Sequence, residues 1–237
     1  MIEARNVSKS FGNLRVLDDL TLSIKPRRIT GLIGPNAAGK TTLAKIVLGL
    51  TRADSGTIEI GGTPIGADDA YRSRIGYMPQ MARFPENLSA RELFEMLTDL
   101  RRAAQPADEE LIERFNFSGA LEKPLRTLSG GTRQKVNAVI AFLFQPDLVI
   151  LDEPTAGLDP VASGILKDKV LADKAAGKTF LMTSHIMSEL DELADDIAFI
   201  NEGKVAFSGP VAELKRVTRQ SNLERAIAEM MKRGAAA

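Results

Sequence analysis

The chain has 237 residues, with 31 Lys+Arg against 31 Asp+Glu, one histidine, and no cysteine or tryptophan. The lack of cysteine excludes a disulfide scaffold, a cysteine zinc site and a thiol nucleophile, and a single histidine excludes a polyhistidine metal site. Zero net charge argues against binding to nucleic acid or anionic lipid through overall charge, and 44% apolar with 26% charged residues suits a globular chain of one large domain or two small ones.

The opening reads as strands, with apolar and polar residues alternating over 2–7 and 20–24. Residues 29–33 form a compact apolar strand that runs into a glycine-rich turn, and a helix is expected over 41–50, with Leu43, Ile46, Val47 and Leu50 on one face. Short strands are expected at 57–60 and 75–78. The period then becomes helical. Ser89 and Glu92 have capping-box spacing ahead of Leu93, Leu97 and Leu100, and further helices are expected over 107–115 and 132–144. Residues 81–145 therefore read as a helical subdomain inserted into an α/β core.

The core resumes with a buried strand at 148–151 and a helix over 160–175 that stops near Gly177. Strand 179–183, helix 186–194, strands 197–201 and 204–208, and helices 211–217 and 223–231 follow. Strands alternating with helices imply a mostly parallel sheet with helices on its faces. The longest purely apolar run, 138–144, falls well short of the ~20 residues a bilayer span needs. The N-terminal stretch carries polar residues where a signal peptide needs apolar ones, so a cytoplasmic location is expected, with a frayed end at 234–237.

Gly34-Pro35-Asn36-Ala37-Ala38-Gly39-Lys40-Thr41 matches the phosphate-loop pattern GxxxxGK[ST], with a strand before it and a helix after it. Successive backbone N–H groups can wrap phosphates there, and the helix dipole adds positive potential. Lys40 supplies a point charge and the Thr41 hydroxyl can ligate Mg²⁺; Thr42 completes the nucleotide-binding stretch. The apolar strand at 148–151 ends in Asp152 and Glu153. At a sheet edge, Asp152 fits a partner of Mg²⁺ through water, and Glu153 could polarise an attacking water. A second anion site is suggested by Ser129, Gly130 and Gly131 before a helix. One nucleotide does not need two such sites from one chain, so this motif is expected to cap a nucleotide on another subunit.

These three motifs in this order resemble the ATP-binding subunit of an ABC transporter, over residues 1 to about 215. The resemblance implies a P-loop NTPase of the ABC ATPase type: a mixed-sheet core, an N-terminal antiparallel β part, an inserted helical subdomain, and a helical tail over 216–237. Read alone, Phe11 suits a core aromatic and Gln80 a surface loop. The resemblance instead places Phe11 against adenine, Gln80 beside Mg²⁺ and the attacking water, Asp159 in the loop crossing a dimer interface, and His185 against the γ-phosphate. Glu153, His185 and Gln80 are then the catalytic set, and Thr41, Gln80 and Asp152 the Mg²⁺ set.

Two departures stand out. Ala37 sits where Gly or Ser is common, which is harmless unless φ is positive there, and Thr132 replaces the commoner Gln. Arg27-Arg28 replaces a common Gly-Glu turn and reads as surface variation.

The resemblance implies ATP and Mg²⁺ as cofactors, a head-to-tail homodimer, a separate transmembrane permease, a peripheral position on the inner face of the membrane, and no nucleic-acid partner. Asn222-Leu223-Glu224 in a short tail resembles ATPases of ABC-2-type exporters. Residues 131–138 and 183–188 resemble the copper-processing ATPases of nitrous-oxide reductase maturation, which leaves room for a periplasmic component. The alternatives are a soluble ABC protein switching a non-membrane partner, for which a second cassette or coiled-coil insertion is missing, and a scaffold without turnover, for which Glu153 would be superfluous.

Overall fold

The computed structural model describes residues 1–66, 69–101 and 107–234. The expected frayed alanines at 235–237, and residues 102–106 of the expected insertion, lie outside the described residues.

The chain opens with a long hairpin, β1 (Ile2–Phe11) and β2 (Leu14–Ile24). After β3 (Ile29–Ile33) and α1 (Lys40–Val47), strands β4 (Ser55–Ile60) and β5 (Thr63–Pro64) complete an antiparallel four-stranded sheet in the order β2-β1-β4-β5. The hairpin runs past the ends expected at Val7 and Leu20. The β1–β2 register shifts between Val7 and Lys9 and again at Ser10, and Asn6 and Asp19 hold positive φ, so pairing continues where apolar alternation is broken.

The second sheet has six strands: β3, β6 (Ile75–Met78), β7 (Leu148–Asp152), β8 (Thr179–Thr183), β9 (Asp196–Asn201) and β10 (Lys204–Pro210), in the order β10-β9-β3-β8-β7-β6. Only β10 is antiparallel to its neighbour. Along β7, Leu148 and Ile150 join a core shared with α1 and the first sheet, while Val149 and Leu151 face the helices of the other core. Burial on both faces explains why this strand reads as an unbroken apolar run.

Helices α2 (Ala90–Arg101), α3 (Glu110–Phe115) and α4 (Gly130–Phe142) form the expected helical insertion between β6 and β7. The capping box exists: Ser89 N donates to Glu92 Oε2 at 2.8 Å, and Glu92 N to Ser89 Oγ at 3.2 Å. α3 is shorter than the 107–115 expected. Asp108 N donates to Leu143 O and Asp108 Oδ1 accepts from Glu110 N, so this stretch ties to the end of α4 and then caps α3. α4 begins at Gly130 rather than at Thr132, because Ser129 Oγ accepts from Thr132 N at 3.2 Å and sets the first turn. α5 (Pro160–Ala175), α6 (Met187–Leu193), α7 (Val211–Thr218) and α8 (Leu223–Gly234) complete the chain.

The Arg27-Arg28 turn is more than surface variation. Arg27 holds a φ of 60°, a left-handed conformation, and Arg28 forks onto Asp196 with Nε–Oδ2 at 2.5 Å and Nη2–Oδ1 at 3.0 Å. The pair clamps the start of β3 to β9.

Candidate active site

Four adjacent parallel strands, β3, β8, β7 and β6, end at one edge of the sheet, where ligands of α/β folds bind. They deliver, in that spatial order, the loop 34–41, the segment 183–185, Asp152 with Glu153, and Gln80. The register places Asp152 opposite Thr183, and Thr183 Oγ1 donates to Asp152 Oδ1 at 2.5 Å. A cleft of about 370 Å³ opens there, lined by Phe11, residues 36–42, Gln80, Asp152, Glu153 and His185. Leu14, Val16 and Thr183 also line it and were not expected. Leu14 and Val16 follow from the hairpin, whose tip pairs Phe11 with Leu14; a sequence reading that ends the strand at Val7 misses them.

The loop conformation follows from local sterics. A Cβ at Gly34 would lie 2.1 Å from Ile200 O, and one at Gly39, where φ is +104°, would lie 2.5 Å from Leu17 Cδ2. Only glycine fits either place. Ala37 has a φ of 63°, so the condition under which its methyl carries strain is met. Lys40 Nζ donates to Gly34 O at 2.7 Å and to Pro35 O at 3.0 Å, folding back over its own loop. Burial pulls the Lys40 pKa below its ordinary value, against the Glu153 and Asp152 carboxylates, which favour the charged form. Gly34 also lines a neighbouring cavity of about 230 Å³ with Lys40 and His185.

Glu153 also has a left-handed φ of 52°. Its N–H donates to Thr183 O and Thr183 Oγ1, both at 3.2 Å, and its Oε2 accepts from His185 N at 3.2 Å. The imidazole Nε2 of His185 lies 3.3 Å from Glu153 Oε1, and the ring is 61% exposed to the cleft side. Phe11, at the hairpin tip, is 53% exposed, with Lys9 Nζ 5.3 Å from its ring centroid. It is not a core aromatic. Gln80 is exposed at the far wall.

Among the described residues lining the cleft, none comes from 129–131 or is Asp159. Ser129 and Gly130 are exposed at the start of α4, and a Cβ on Gly130 would meet nothing within 4 Å. Asp159 Oδ1 caps α5 through Ala162 N at 2.8 Å, and its other oxygen lies 3.3 Å from Lys135 Nζ of α4. A Cβ on Gly131 would lie 3.0 Å from Gly157 O, so residues 129–131 and the Asp159 loop share one surface.

Two buried polar residues of α4 were missed in the sequence. Asn137 Nδ2 donates to Pro79 O at 2.7 Å, next to Gln80, and Gln134 Nε2 donates to Pro154 O at 3.4 Å, next to Glu153. The helix capped by Ser129 thus holds both loops of the opposite cleft wall. Their i, i+3 spacing on an ordinary amphipathic pattern gives no signal for this; only packing does.

Could the cleft hold a cation? Among the described residues, no group of three or more His, Cys, Asp or Glu side chains is placed to bind a metal ion by itself. The oxygen donors Thr41, Asp152 and Gln80 suit Mg²⁺ if phosphate oxygens complete the shell. No helix among the described residues is long and apolar enough to cross a membrane.

The family described as ABC transporter is matched over residues 17–156. The chain is 36% identical over 241 residues to the daunorubicin resistance ATP-binding protein DrrA3 of Streptomyces coeruleorubidus, covering 99% of this chain and 76% of that protein. It is 38% identical over 213 residues to the Nod factor export ATP-binding protein I of Sinorhizobium fredii, covering 88% of this chain and 62%, under two thirds, of that relative. A solved ATP binding subunit of an ABC transporter superposes with a TM-score of 0.89 at 28% identity, covering 98% of this chain and 99% of that one. A dimeric ATP-binding cassette in a post-hydrolysis state with ADP and Pi shares the fold, with a TM-score of 0.79 at 23% identity, covering 89% of this chain and 98% of that one.

Proposed function

The chain belongs to the ABC transporter family and is an ATP-binding, ATP-hydrolysing cassette, and from that premise we propose that it dimerises head-to-tail around two ATP and drives a separate membrane-spanning permease in export. One observation carries this reading. The cleft gathers the phosphate loop, Asp152, Glu153, Gln80 and His185, whereas the second anion motif at 129–131 opens on another surface. A site split in this way is complete only when a second copy supplies Ser129, Gly130 and Gly131, with Asp159 beside them at the seam.

In the proposed mechanism Phe11 stacks on adenine, and residues 34–42 wrap the phosphates through backbone N–H groups. Lys40 swings from its carbonyl partners to the β- and γ-phosphates. Mg²⁺ held by the Thr41 hydroxyl, Gln80 and, through water, Asp152 would neutralise charge on those phosphates. Glu153 takes a proton from the attacking water as its oxygen bonds to the γ-phosphorus. The bond to the β–γ bridging oxygen breaks, and ADP and inorganic phosphate leave. His185, next to Glu153, donates toward the γ-phosphate oxygens. Residues 1–215 then act as the ATPase domain, with 81–145 as its inserted helical part and 216–237 as a tail. The cassette sits peripherally on the inner face of the membrane through its permease.

The relatives above are named for daunorubicin resistance and Nod factor export. This supports export over the copper-processing role, with its periplasmic component, that residues 131–138 and 183–188 resemble. The test is Glu153→Gln beside His185→Ala. Glu153→Gln keeps ATP binding, loses turnover by about a hundredfold or more, and accumulates as an ATP-bound dimer on size exclusion. Unimpaired turnover in Glu153→Gln overturns the assignment of the base; a monomer saturated with ATP overturns the shared site.

A further inference from the structure

Glu189 is a buried carboxylate on α6, 7% exposed, that the mechanism above does not use. Its Oε2 accepts from Thr155 Oγ1 at 2.8 Å and from Ser184 Oγ at 3.3 Å. Both hydroxyl residues are buried. Ser184 immediately precedes His185, and Thr155 follows Glu153 by one residue's gap, so one carboxylate holds the two loops that meet in the Glu153–His185 contact. The Ser184 hydroxyl also accepts from Ile186 N at 3.0 Å, which fixes the turn through His185 from within.

A buried carboxylate is an expensive way to fill space; a leucine would pack there without desolvating a charge. What it adds is a direction. Glu153 sits in a left-handed conformation, which is strained for a residue other than glycine and persists only where its surroundings over-determine it. The bond from Thr155 fixes the chain just beyond that strained residue. α6 itself is braced from the C-terminal side, where Asp191 lies 2.5 Å from Lys215 Nζ and accepts from Leu223 N at 3.3 Å.

We infer that Glu189 is a positioning residue: through the hydroxyls of Thr155 and Ser184 it holds Glu153 and His185 in register with each other. This rests on the roles proposed above for Glu153 and His185. The phosphate loop lies outside the clasp, so losing it changes turnover and leaves ATP binding intact.

The experiment is steady-state ATP hydrolysis and fluorescent-ATP binding on the full chain. Glu189→Leu lowers kcat by about ten- to a hundredfold, the cost of misplacing reacting groups by an ångström or less. KM and nucleotide affinity stay at parental values. Glu189→Gln, which keeps the shape and an acceptor oxygen, restores most of the rate. In a His185→Ala background the effect of Glu189→Leu shrinks, since only the arm through Thr155 toward Glu153 is left to lose. If Glu189→Leu does not fold, Thr155→Val with Ser184→Ala removes the same two donors and gives the same split. Parental kcat in Glu189→Leu, a KM that rises with it, or full additivity with His185→Ala overturns the inference. Controls separate the two levels: inert Glu153→Gln and His185→Ala beside an active Glu189→Leu sink this inference alone, and active Glu153→Gln and His185→Ala sink the site assignment beneath it.

Discussion

Lys169 of α5 is 4% exposed, yet its ammonium lies 2.7 Å from Asp108 Oδ2, 2.7 Å from Glu110 Oε2 and 3.3 Å from Asp173 Oδ1. The first two carboxylates come from the entry to α3, so this node fastens the helical insertion to α5, the helix capped by Asp159. Burial pulls the Lys169 pKa down, but hydrogen bonds to Asp108 and Glu110 outweigh it, and the balance is raised. Lys169→Met keeps the apolar stem and deletes the charge. Two of the three carboxylates keep a cation: Glu110 has Arg114 at 3.1 Å and Asp173 has Lys178 at 2.7 Å. Asp108 loses the cation to which it is hydrogen-bonded while remaining mostly buried. Breaking a buried pair costs about 3–5 kcal/mol, and one orphan rather than three puts the loss at the low end, about 3 kcal/mol. Urea denaturation followed by circular dichroism reads it, with Tm falling by about 6–12 °C.

The pH dependence of that loss has a definite sign. Asp108 and Glu110 are both held below their ordinary values, so their stabilisation is present above those values, 3.8 and 4.5, and fades as pH falls through the lowered ones. The raised Lys169 contributes fully below its ordinary 10.5 and loses its share only as pH rises through the raised value. The gap between parent and Lys169→Met is therefore widest near neutrality and closes in acid. Adding Asp108→Asn to Lys169→Met recovers most of the loss. A Lys169→Met chain within about 0.5 kcal/mol of the parent at neutral pH would refute the reasoning.

Two further predictions concern the cleft. Ala37→Gly relieves a left-handed φ worth about 1–2 kcal/mol but frees the unfolded chain by about 0.4–1 kcal/mol. It should bind ATP like the parent and melt at or slightly above its temperature, whereas Ala37→Val, branched at Cβ, should melt lower and bind ATP more weakly in a fluorescence titration. Asn137→Leu removes the donor to Pro79 O and leaves that carbonyl and Gln134 Oε1 short of a partner. It should lose about 1–3 kcal/mol in denaturant and lower kcat more than it alters ATP affinity, because the freed segment carries Gln80.

The parts of the site that were legible in the sequence are those whose chemistry lies in consecutive residues. In the proposed mechanism the loop 34–41 works through its own backbone, so eight residues between a strand and a helix are enough to suggest its role. Asp152 and Glu153 are legible because a doubly buried strand has to end, and its end meets the ligand edge. Pro79, Pro154, Gln134 and Asn137 act across 20 to 58 positions of chain, and on α4 the two amides look like ordinary polar helix residues. Arg28 misleads for the same reason: an arginine in a turn suggests solvent until Asp196, 168 positions away, is folded against it.

The residues hidden from sequence reading share a physical character. Gln134, Asn137, Thr155, Ser184 and Glu189 are polar and buried, hydrogen-bonded as two groups, Gln134 with Asn137 and Thr155 and Ser184 with Glu189, and each group touches chain beside cleft residues rather than lining the cleft itself. Burying such groups is justified only when every one finds a partner, and here they do. Glu153 carries backbone strain and His185 carries exposure, so neither holds its place by its own packing. The precision of the Glu153–His185 contact then has to come from α4 on one side and α6 on the other. Substitutions in these two helices should therefore alter turnover while leaving the phosphate loop, and ATP binding, largely as they are.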